Sequence, residues 1–315
     1  MIEIGIGRAR NPQSGLVAVV DDQVFDLATI LIFLGPTDAP APELLGDVLL
    51  DWERWSDRLL AIRDLVRADR ERIPSLGSLS DVTLDAPVVP DALLLFAAAN
   101  YAEHTIEAEN SDWVGTKVGS GATDPSMFLT PNRSVVGPTD PILSPSDALM
   151  VDWEVELGVV IGRTGHRISA DSAMDYVAGY TICNDVSARD HVQREEWPLF
   201  SSDWFAQKGY DTFTPIGPVI VPAAVVPDPY ALALRLWVDD ELKQDGVASD
   251  MVFDIADQIE YASRFSTLRP GDIISTGTPA GVGMATGRYL VAGETMRVEI
   301  DGLGYQRSPV VSEDL

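Results

Sequence analysis

The sequence has few of the residues that build disulfides and zinc sites. Among its 315 residues there is one cysteine, Cys183, which excludes an internal disulfide and a cysteine-rich metal site. Histidine and lysine occur three times each, at His104, His166, His191, Lys117, Lys208 and Lys243. Because both residue types are scarce, each one that falls inside an ordered motif is a candidate for a specific role.

Positive charge is scarce as well. The chain has 22 lysine and arginine residues against 49 aspartate and glutamate residues, a formal net charge of −27 at pH 7. Such an excess repels nucleic acids and anionic membrane surfaces, so neither is expected as a partner. Apolar stretches such as residues 93–99 are far too short to span a bilayer, and the N-terminal residues show no signal-peptide pattern. We expect a soluble, cytoplasmic protein.

The order of predicted elements indicates an α+β fold. Residues 1–35 contain three strand-like runs, IEIGIG, LVAVVDD and QVFDLATIL, and residues 43–73 show the apolar spacing of a helix. From about residue 86, β-type runs alternate with Pro- and Gly-containing turns, while DSAMDYVA and VFDIADQIEYASRFSTL have a helical pattern. This order argues against a doubly wound sheet. We predict a small N-terminal α/β domain over residues 1–85 and a larger β-rich domain over residues 86–315.

The stretch VDWEVELGVVIG, which begins at Val151, places Asp152, Glu154 and Glu156 at every second position. Side chains at this spacing along a strand share a face, where like charges repel. A second strand-like run, YTICNDVSARD, brings Asp185 to the end of a neighbouring strand. Carboxylates from two strands form an all-oxygen pocket that suits Mg²⁺, Mn²⁺ or Ca²⁺ better than Zn²⁺. The alternative is an acidic face that water solvates.

The segment NYAEHTIEAE holds a candidate for proton transfer. His104 and Glu107 lie three residues apart, so one helical turn would put them in contact. A carboxylate beside an imidazole fixes its tautomer and raises its basicity, as a general base for water requires. The alternative is a surface pair at a helix start. Residues 109–126 have the composition of a long loop, and such loops are often lids over a site.

Two further motifs offer groups for an anionic substrate. Lys208, in WFAQKGYDTFTPIGP, could hold an anionic or carbonyl oxygen; the alternative is an exposed loop lysine. GDIISTGTPAGVG offers a closely approachable backbone at Gly277 and a hydroxyl at Thr278; the alternative is a tight turn after a strand. The chain lacks GxxxxGK[ST], GxGxxG and GxSxG, which argues against a P-loop, a Rossmann site and a serine-hydrolase site.

Four motifs in this order resemble the fumarylacetoacetate hydrolase superfamily: VDWEVELGVVIG, VAGYTICNDVSARD, QKGYDTFTPIGP and LRPGDIISTGTPAGVG, with NYAEHTIE upstream. The resemblance covers about residues 90–304. It implies a mixed β-roll catalytic domain with a small N-terminal domain, a homodimer, and a bound Mg²⁺ or Mn²⁺, with Ca²⁺ as a further option. It also implies the site residues: Glu154, Glu156 and Asp185 as metal ligands, His104, Glu107 and Lys208 as catalytic residues, and Thr278, Gly277, Arg189 and Tyr101 as substrate-binding residues.

The activity that the resemblance implies is hydrolysis of a carbon–carbon bond in a β-diketo acid or acylpyruvate-type substrate, through an enolate held by the metal. Thr130 stands where many members carry lysine, so the substrate pocket is expected to differ in charge from theirs. One alternative is a decarboxylase or isomerase of 2-oxo or 2-hydroxy-dienoate acids in aromatic catabolism, because one enolate serves all these reactions. Another is a binding protein that has kept the fold and lost the chemistry.

Overall fold

The computed structural model describes residues 1–10, 15–35, 41–104, 123–197, 199 and 201–313. Most of the regular structure in these residues is β. The strands are β1 (Gly5–Ala9), β2 (Gly15–Val20), β3 (Gln23–Asp26), β4 (Gly77–Ser78), β5 (Leu84–Asp85), β6 (Leu94–Ala98), β7 (Ser126–Leu129), β8 (Val135–Val136), β9 (Ile142–Ser144), β10 (Val151–Asp152), β11 (Val155–Ile161), β12 (Val177–Asn184), β13 (Ser187–Ala188), β14 (Thr214–Pro215), β15 (Val221–Pro222), β16 (Ala233–Val238), β17 (Glu241–Val247), β18 (Ile273–Ser275), β19 (Thr295–Ile300) and β20 (Gly304–Ser312). The α-helices that lie wholly within the described residues are α1 (Leu27–Leu34), α2 (Leu45–Leu50), α3 (Trp52–Asp69), α4 (Ala170–Ala173), α5 (Trp204–Lys208) and α6 (Ile255–Phe265).

Three sheets form the body of the fold. A six-stranded sheet has the order β15-β12-β11-β18-β6-β7, and a five-stranded sheet has the order β17-β16-β19-β20-β9. A second five-stranded sheet, β4-β3-β2-β1-β5, is built from the N-terminal region. Strands β11 and β12 are antiparallel, whereas β18 runs parallel to β6 and β20 runs parallel to β9. This mixed pairing confirms the predicted α+β class.

The six-stranded sheet is buried on both faces. On one face, Leu157 of β11 belongs to an apolar core with Leu236 and Val298 of the sheet β17-β16-β19-β20-β9. On the other face, Val160 of β11 belongs to a core with Trp55 of α3. A strand that is covered on both sides needs apolar residues at successive positions, which explains the apolar run at the end of β11.

Helix α3 confirms the helical pattern predicted within residues 43–73. Its buried side chains recur every three or four positions and so form one stripe against the core. These side chains are Trp52, Trp55, Leu59, Ile62 and Val66. Across the parts of the chain that the structure describes, no helix combines the length and the apolar character that a membrane crossing needs.

The run QVFDLATIL, predicted as one strand, is a strand followed by a helix. Strand β3 ends at Asp26 and helix α1 begins at Leu27. The Asp26 carboxylate accepts a hydrogen bond from the Thr29 amide at 2.7 Å and so caps the first helical turn. The capping residue lies inside an apolar run, and the apolar composition alone favoured a strand.

The stretch VDWEVELGVVIG is also two strands rather than one. Strand β10 pairs with β13, strand β11 pairs with β12, and Trp153 and Glu154 lie between β10 and β11. The prediction that one strand carries Asp152, Glu154 and Glu156 in a row is therefore wrong. The break has a physical cause, because the Asp152 carboxylate accepts the Trp153 amide at 2.8 Å and two further backbone amides from a distant loop.

The N-terminal sheet is joined to the rest of the chain. Ile6 of β1 and Ile220 exchange two backbone hydrogen bonds, of 2.9 and 2.8 Å. The Arg10 guanidinium donates to Asp85 at 2.5 Å and to the two carboxylate oxygens of Asp140 at 2.5 and 2.7 Å. The division into domains at residue 85 stays a prediction.

The space around Gly158 in β11 and Gly46 in α2 predicts opposite effects of a change to alanine on folding stability. A Cβ added at Gly158 would lie 2.8 Å from the Cys183 sulfur and 2.9 Å from a methyl group of Thr181. Gly158→Ala should therefore lower the free energy of unfolding by about 1–3 kcal/mol, as overpacked cores do. A Cβ at Gly46 in α2 would meet Val89 at an ordinary 3.8 Å, so Gly46→Ala should raise it by about 0.5–1 kcal/mol. Urea denaturation curves measure both changes, and equal shifts of the same sign would contradict this account.

Candidate metal centre

Two neighbouring strands bring three carboxylates together. Glu156 lies on β11, Glu154 immediately precedes β11, and Asp185 immediately follows β12. Because Val155 lies opposite Asn184 in this antiparallel pair, the start of β11 is beside the end of β12. One carboxylate oxygen from each acid lies within 4.8 Å of the other two. The three side chains are between 1% and 6% exposed, so the interpretation as a water-solvated acidic face is wrong.

Two cations hold Glu154. The Lys208 ammonium donates to Glu154 Oε2 at 2.8 Å and to Asp185 Oδ2 at 2.5 Å. The Arg189 guanidinium donates to Glu154 Oε1 through Nη2 at 2.5 Å and to Asp152 Oδ2 through Nε at 2.8 Å. Both oxygens of Glu154 therefore accept hydrogen bonds from charged donors, which are stronger than neutral hydrogen bonds.

Glu156 is held by the segment that contains β18. Its Oε2 atom accepts hydrogen bonds from Ser275 Oγ at 2.5 Å and from the Gly277 amide at 3.1 Å. Gly277 has a φ of +88°, and a Cβ there would lie 2.8 Å from Asn100 Cβ, so this backbone approach requires glycine. Neither donor is charged, and Glu156 makes no ion pair with the residues that the structure describes.

Burial and mutual repulsion oppose the ionisation of all three acids. Burial, together with the charges of Asp185 and Glu154, raises the pKa of Glu156 well above its usual value. Burial and the Glu154 charge raise the pKa of Asp185 to about 7 against the opposing effect of Lys208. Burial also disfavours ionised Glu154, but the charges of Lys208 and Arg189 outweigh it and lower the Glu154 pKa. Further positive charge is needed for the three carboxylates to ionise together.

A divalent cation fits this set of donors. When they are all ionised, the three carboxylates and that of Asp152 carry four negative charges, and Lys208 and Arg189 carry two positive ones, so two negative charges are left over. The Oδ1 atom of Asp185 is buried and has no hydrogen-bond partner among the described residues. An unpaired carboxylate oxygen within a group of oxygens is a ligand position for a hard cation.

The structure describes His104 of the predicted proton-transfer pair, and it also describes Tyr101, which is predicted to bind substrate. Tyr101 and His104 are buried, at 1% and 7% exposed. His104 is among the groups whose electrostatic effect lowers the pKa of Glu154 against its burial, which indicates that the imidazole lies near the acidic cluster. Glu107 and residues 109–122 of the predicted lid lie outside the described residues.

Three groups predicted to bind substrate make hydrogen bonds within the protein. The Gly277 amide donates to Glu156, and Arg189 bridges two carboxylates. The Thr278 hydroxyl donates to the Val155 carbonyl at 2.8 Å and accepts from Gln244 Nε2 at 2.8 Å. These residues form the wall of the acidic cluster, and their contact with a substrate stays a prediction.

Three further residues shape the cluster and were not predicted from the sequence. Ser275 donates to Glu156, the Asn184 side chain accepts the Glu154 amide at 3.1 Å, and the Phe128 ring centroid lies 5.6 Å from the Lys208 ammonium. Ser275 and Asn184 belong to motifs that already contain site candidates, and this proximity in sequence was the available signal. Nothing in the sequence connects Phe128, on β7, with Lys208.

The fold and the acidic cluster together define a family. The profile of the fumarylacetoacetate (FAA) hydrolase C-terminal family matches residues 95–311. This match spans more than half of the chain, so the protein belongs to the fumarylacetoacetate hydrolase superfamily, as its motifs indicated.

Its relatives have different activities. The mitochondrial oxaloacetate tautomerase of Xenopus laevis is 39% identical over 236 residues, which are 74% of this chain and 70% of that protein. Maleylpyruvate hydrolase of Sphingobium sp. SYK-6, solved with manganese(II) and pyruvate, is 30% identical, with a TM-score of 0.72 over 98% of this chain and 99% of that chain. The 2-hydroxyhepta-2,4-diene-1,7-dioate isomerase of Mycobacterium marinum is 30% identical, with a TM-score of 0.69 over 99% of this chain and 100% of that chain. Membership of the family is thus compatible with hydrolysis and with isomerisation.

The contacts of Glu156 predict how metal affinity responds to mutation. If Glu156 is a metal ligand, as predicted, Glu156→Gln should abolish measurable Mn²⁺ binding, because it removes an anionic group. Ser275→Ala removes a hydroxyl that orients the Glu156 carboxylate and should weaken binding by about 10- to 100-fold. Ser263→Ala is a matched control, since that buried hydroxyl contacts Ile168 and Glu260 instead. Isothermal titration calorimetry measures the three affinities, and a Ser275→Ala protein that binds as tightly as wild type would contradict the assignment.

The raised pKa of Asp185 predicts a pH dependence of stability. A carboxyl whose pKa is raised to about 7 in the folded state favours folding at low pH, and this contribution is lost as pH rises from about 4 through about 7. Mn²⁺ needs the ionised form, so the gain in Tm on adding Mn²⁺ should grow over the same pH window. Thermal unfolding with and without Mn²⁺ measures both trends.

Asp185→Asn serves as the control for this pH dependence, because the amide does not titrate. In this variant the loss of stability with rising pH should be smaller than in wild type. For the wild-type protein, a gain in Tm on adding Mn²⁺ that is the same at both ends of this pH window would show that Asp185 does not bind the metal.

Proposed function

We propose that this protein is a divalent-metal-dependent hydrolase that cleaves a carbon–carbon bond in a β-diketo acid or acylpyruvate-type substrate. The observation that carries the proposal is the buried group of Glu154, Glu156 and Asp185, with the Lys208 ammonium 2.8 and 2.5 Å from two of them. Similarity to a maleylpyruvate hydrolase that was solved with manganese and pyruvate supports the same substrate class.

The metal and its ligands have one role in this proposal. Glu154, Glu156 and Asp185 would hold an Mg²⁺ or Mn²⁺ ion, which acts as a Lewis acid on the oxygens of a 2-oxo acid. The formal excess of two negative charges around the cluster suits a dication. All remaining steps depend on side chains of the protein.

Lys208 is the proposed stabiliser of negative charge on oxygen. Its side chain is only 3% exposed, so its charge acts in a medium where electrostatic interactions are strong. Burial disfavours the ammonium form, but the charges of Asp185 and Glu154 outweigh this effect and raise the Lys208 pKa. Lys208 is therefore protonated at neutral pH, and its positive charge would stabilise a nearby oxygen on which negative charge develops.

His104, oriented by Glu107, is the proposed general base. The imidazole removes a proton from water, and the resulting hydroxide adds to the distal carbonyl carbon of the substrate. The carbon–carbon bond then breaks, and its electron pair moves into the neighbouring 2-oxo group as an enolate. Protonation of the enolate carbon gives the 2-oxo acid product, and the other fragment leaves as a carboxylic acid.

The second candidate is an isomerase, tautomerase or decarboxylase of 2-oxo or 2-hydroxy-dienoate acids. It is favoured by the similarity to an oxaloacetate tautomerase and to a hydroxyheptadienedioate isomerase. Such reactions share the enolate, and a pure tautomerase does not require activation of water. The role of His104 therefore distinguishes the two candidates.

The proposal predicts that His104→Ala lowers kcat for acylpyruvate hydrolysis by about 10²- to 10⁴-fold, because it removes the general base. Mn²⁺ affinity should be unchanged, since His104 is not a proposed ligand. His166→Ala, at an exposed histidine, is the matched control and should behave as wild type. The loss of ultraviolet absorbance of acylpyruvates, 2-hydroxy-dienoates and oxaloacetate enol measures the rates.

The pattern of rates decides between the candidates. Cleavage of the acylpyruvate that depends on both Mn²⁺ and His104 supports the hydrolase. If the wild-type protein forms an isomer without cleavage, and His104→Ala retains that rate, the isomerase is the correct function.

A further inference from the structure

Asp152 is a buried carboxylate that the proposed reaction does not use. Its side chain is 0% exposed. Its Oδ1 atom accepts the backbone amides of Trp153 at 2.8 Å and Gly283 at 2.6 Å, and its Oδ2 atom accepts the Met284 amide at 3.1 Å. The Oδ2 atom also accepts Arg189 Nε at 2.8 Å. Four donors thus fix both oxygens of Asp152 in position.

The loop that supplies two of these donors is itself anchored. Gly283–Ala285 forms a single 3₁₀ turn. A Cβ at Gly283 would lie 2.6 Å from Asp152 Oδ1, so this approach of the backbone requires glycine. The indole of Trp153 donates to the Gly281 carbonyl at 3.1 Å and holds the same loop at a second point. The position of Asp152 is therefore set by backbone on both sides of it.

Arg189 connects this fixed carboxylate to the acidic cluster. Its Nε atom donates to Asp152 and its Nη2 atom donates to Glu154 at 2.5 Å, so one planar group bridges two carboxylates. The bridge has one geometry, because the guanidinium donors lie in a rigid plane. The Arg189 side chain is 11% exposed, and each of these two donors is already used by a protein oxygen.

We propose that Asp152 is a positioning residue of the metal centre, which acts through Arg189 to orient the Glu154 carboxylate. The inference rests on the metal-dependent function proposed above. It assigns these two donors of Arg189 to the protein rather than to the substrate. It also links the loop that contains Gly283 and Met284 to the geometry of the metal ligands.

A structural ion pair and a positioning pair differ in what they affect. A buried ion pair with no other role changes folding stability when it is altered. A pair that orients a ligand changes metal affinity as well, even when the local charge stays the same. Arg189→Lys meets this condition, because lysine keeps the positive charge but has a single nitrogen in place of a planar fork, so it cannot reproduce the two donor positions of Nε and Nη2.

The test is titration of folded wild type, Arg189→Lys and Asp152→Asn with Mn²⁺ by calorimetry. Both variants should lose about 10- to 100-fold in affinity, as expected when a group that orients a metal ligand is removed. Asp272→Asn is the matched control. Asp272 is also a buried carboxylate that accepts two backbone amides, from Leu93 at 2.8 Å and Arg269 at 2.7 Å. This control should lose stability and keep the wild-type affinity.

The double variant Asp152→Asn/Arg189→Lys completes the cycle. If the two residues act in series, its loss should be no larger than the greater single loss. Wild-type affinity in Arg189→Lys, or losses that multiply in the double variant, would overturn the inference. If Asp152→Asn does not fold, the test rests on the Mn²⁺ affinity of Arg189→Lys compared with that of Asp272→Asn. Absence of Mn²⁺ binding by the wild-type protein would instead overturn the proposed function.

Discussion

The site depends on three carboxylates that are held close together although they are buried and repel one another. Glu154, Glu156 and Asp185 approach within 4.8 Å at sites that water barely reaches. Moving carboxylates out of water costs several kcal/mol each, on the order of the stability of a whole domain. The chain offsets part of this cost with two cations and a series of amide and hydroxyl donors. The remaining negative charge is the basis of the proposed affinity for a dication.

The fold meets this requirement by building the cluster from strand ends. Antiparallel pairing of β11 and β12 brings Glu154 and Asp185 together, and β18 adds the donors to Glu156. Apolar cores on both faces of the six-stranded sheet fix these strands, and a rigid support is what a ligand set of defined geometry needs. One of the three lysines of this acidic chain, Lys208, lies between two of the buried acids. The scarcity of lysine in the sequence therefore pointed to a residue with a specific position.

The sequence could predict the parts of this centre that follow from strand position. Glu154, Glu156 and Asp185 lie at strand ends in recognisable motifs, and the mixed fold follows from β-rich runs with few helices. It could not predict the break before β11, because two of the amides that hold the Asp152 carboxylate come from a loop about 130 residues later. The contact between Phe128 and Lys208 could not be predicted for the same reason, since residues that are distant in sequence meet only in the folded chain.

The packing of helix α3 has a consequence for the N-terminal 85 residues. Trp55 and Ile62 cover the face of the six-stranded sheet on which Val160 lies, much as a second layer does in a sandwich. A shortened chain that began after residue 85 would present this apolar face to water, and Asp140 would be left without Arg10. Exposed apolar surfaces of this kind favour self-association. The N-terminal region therefore helps to stabilise the strands beside Glu154, Glu156 and Asp185, although it contributes none of these three residues.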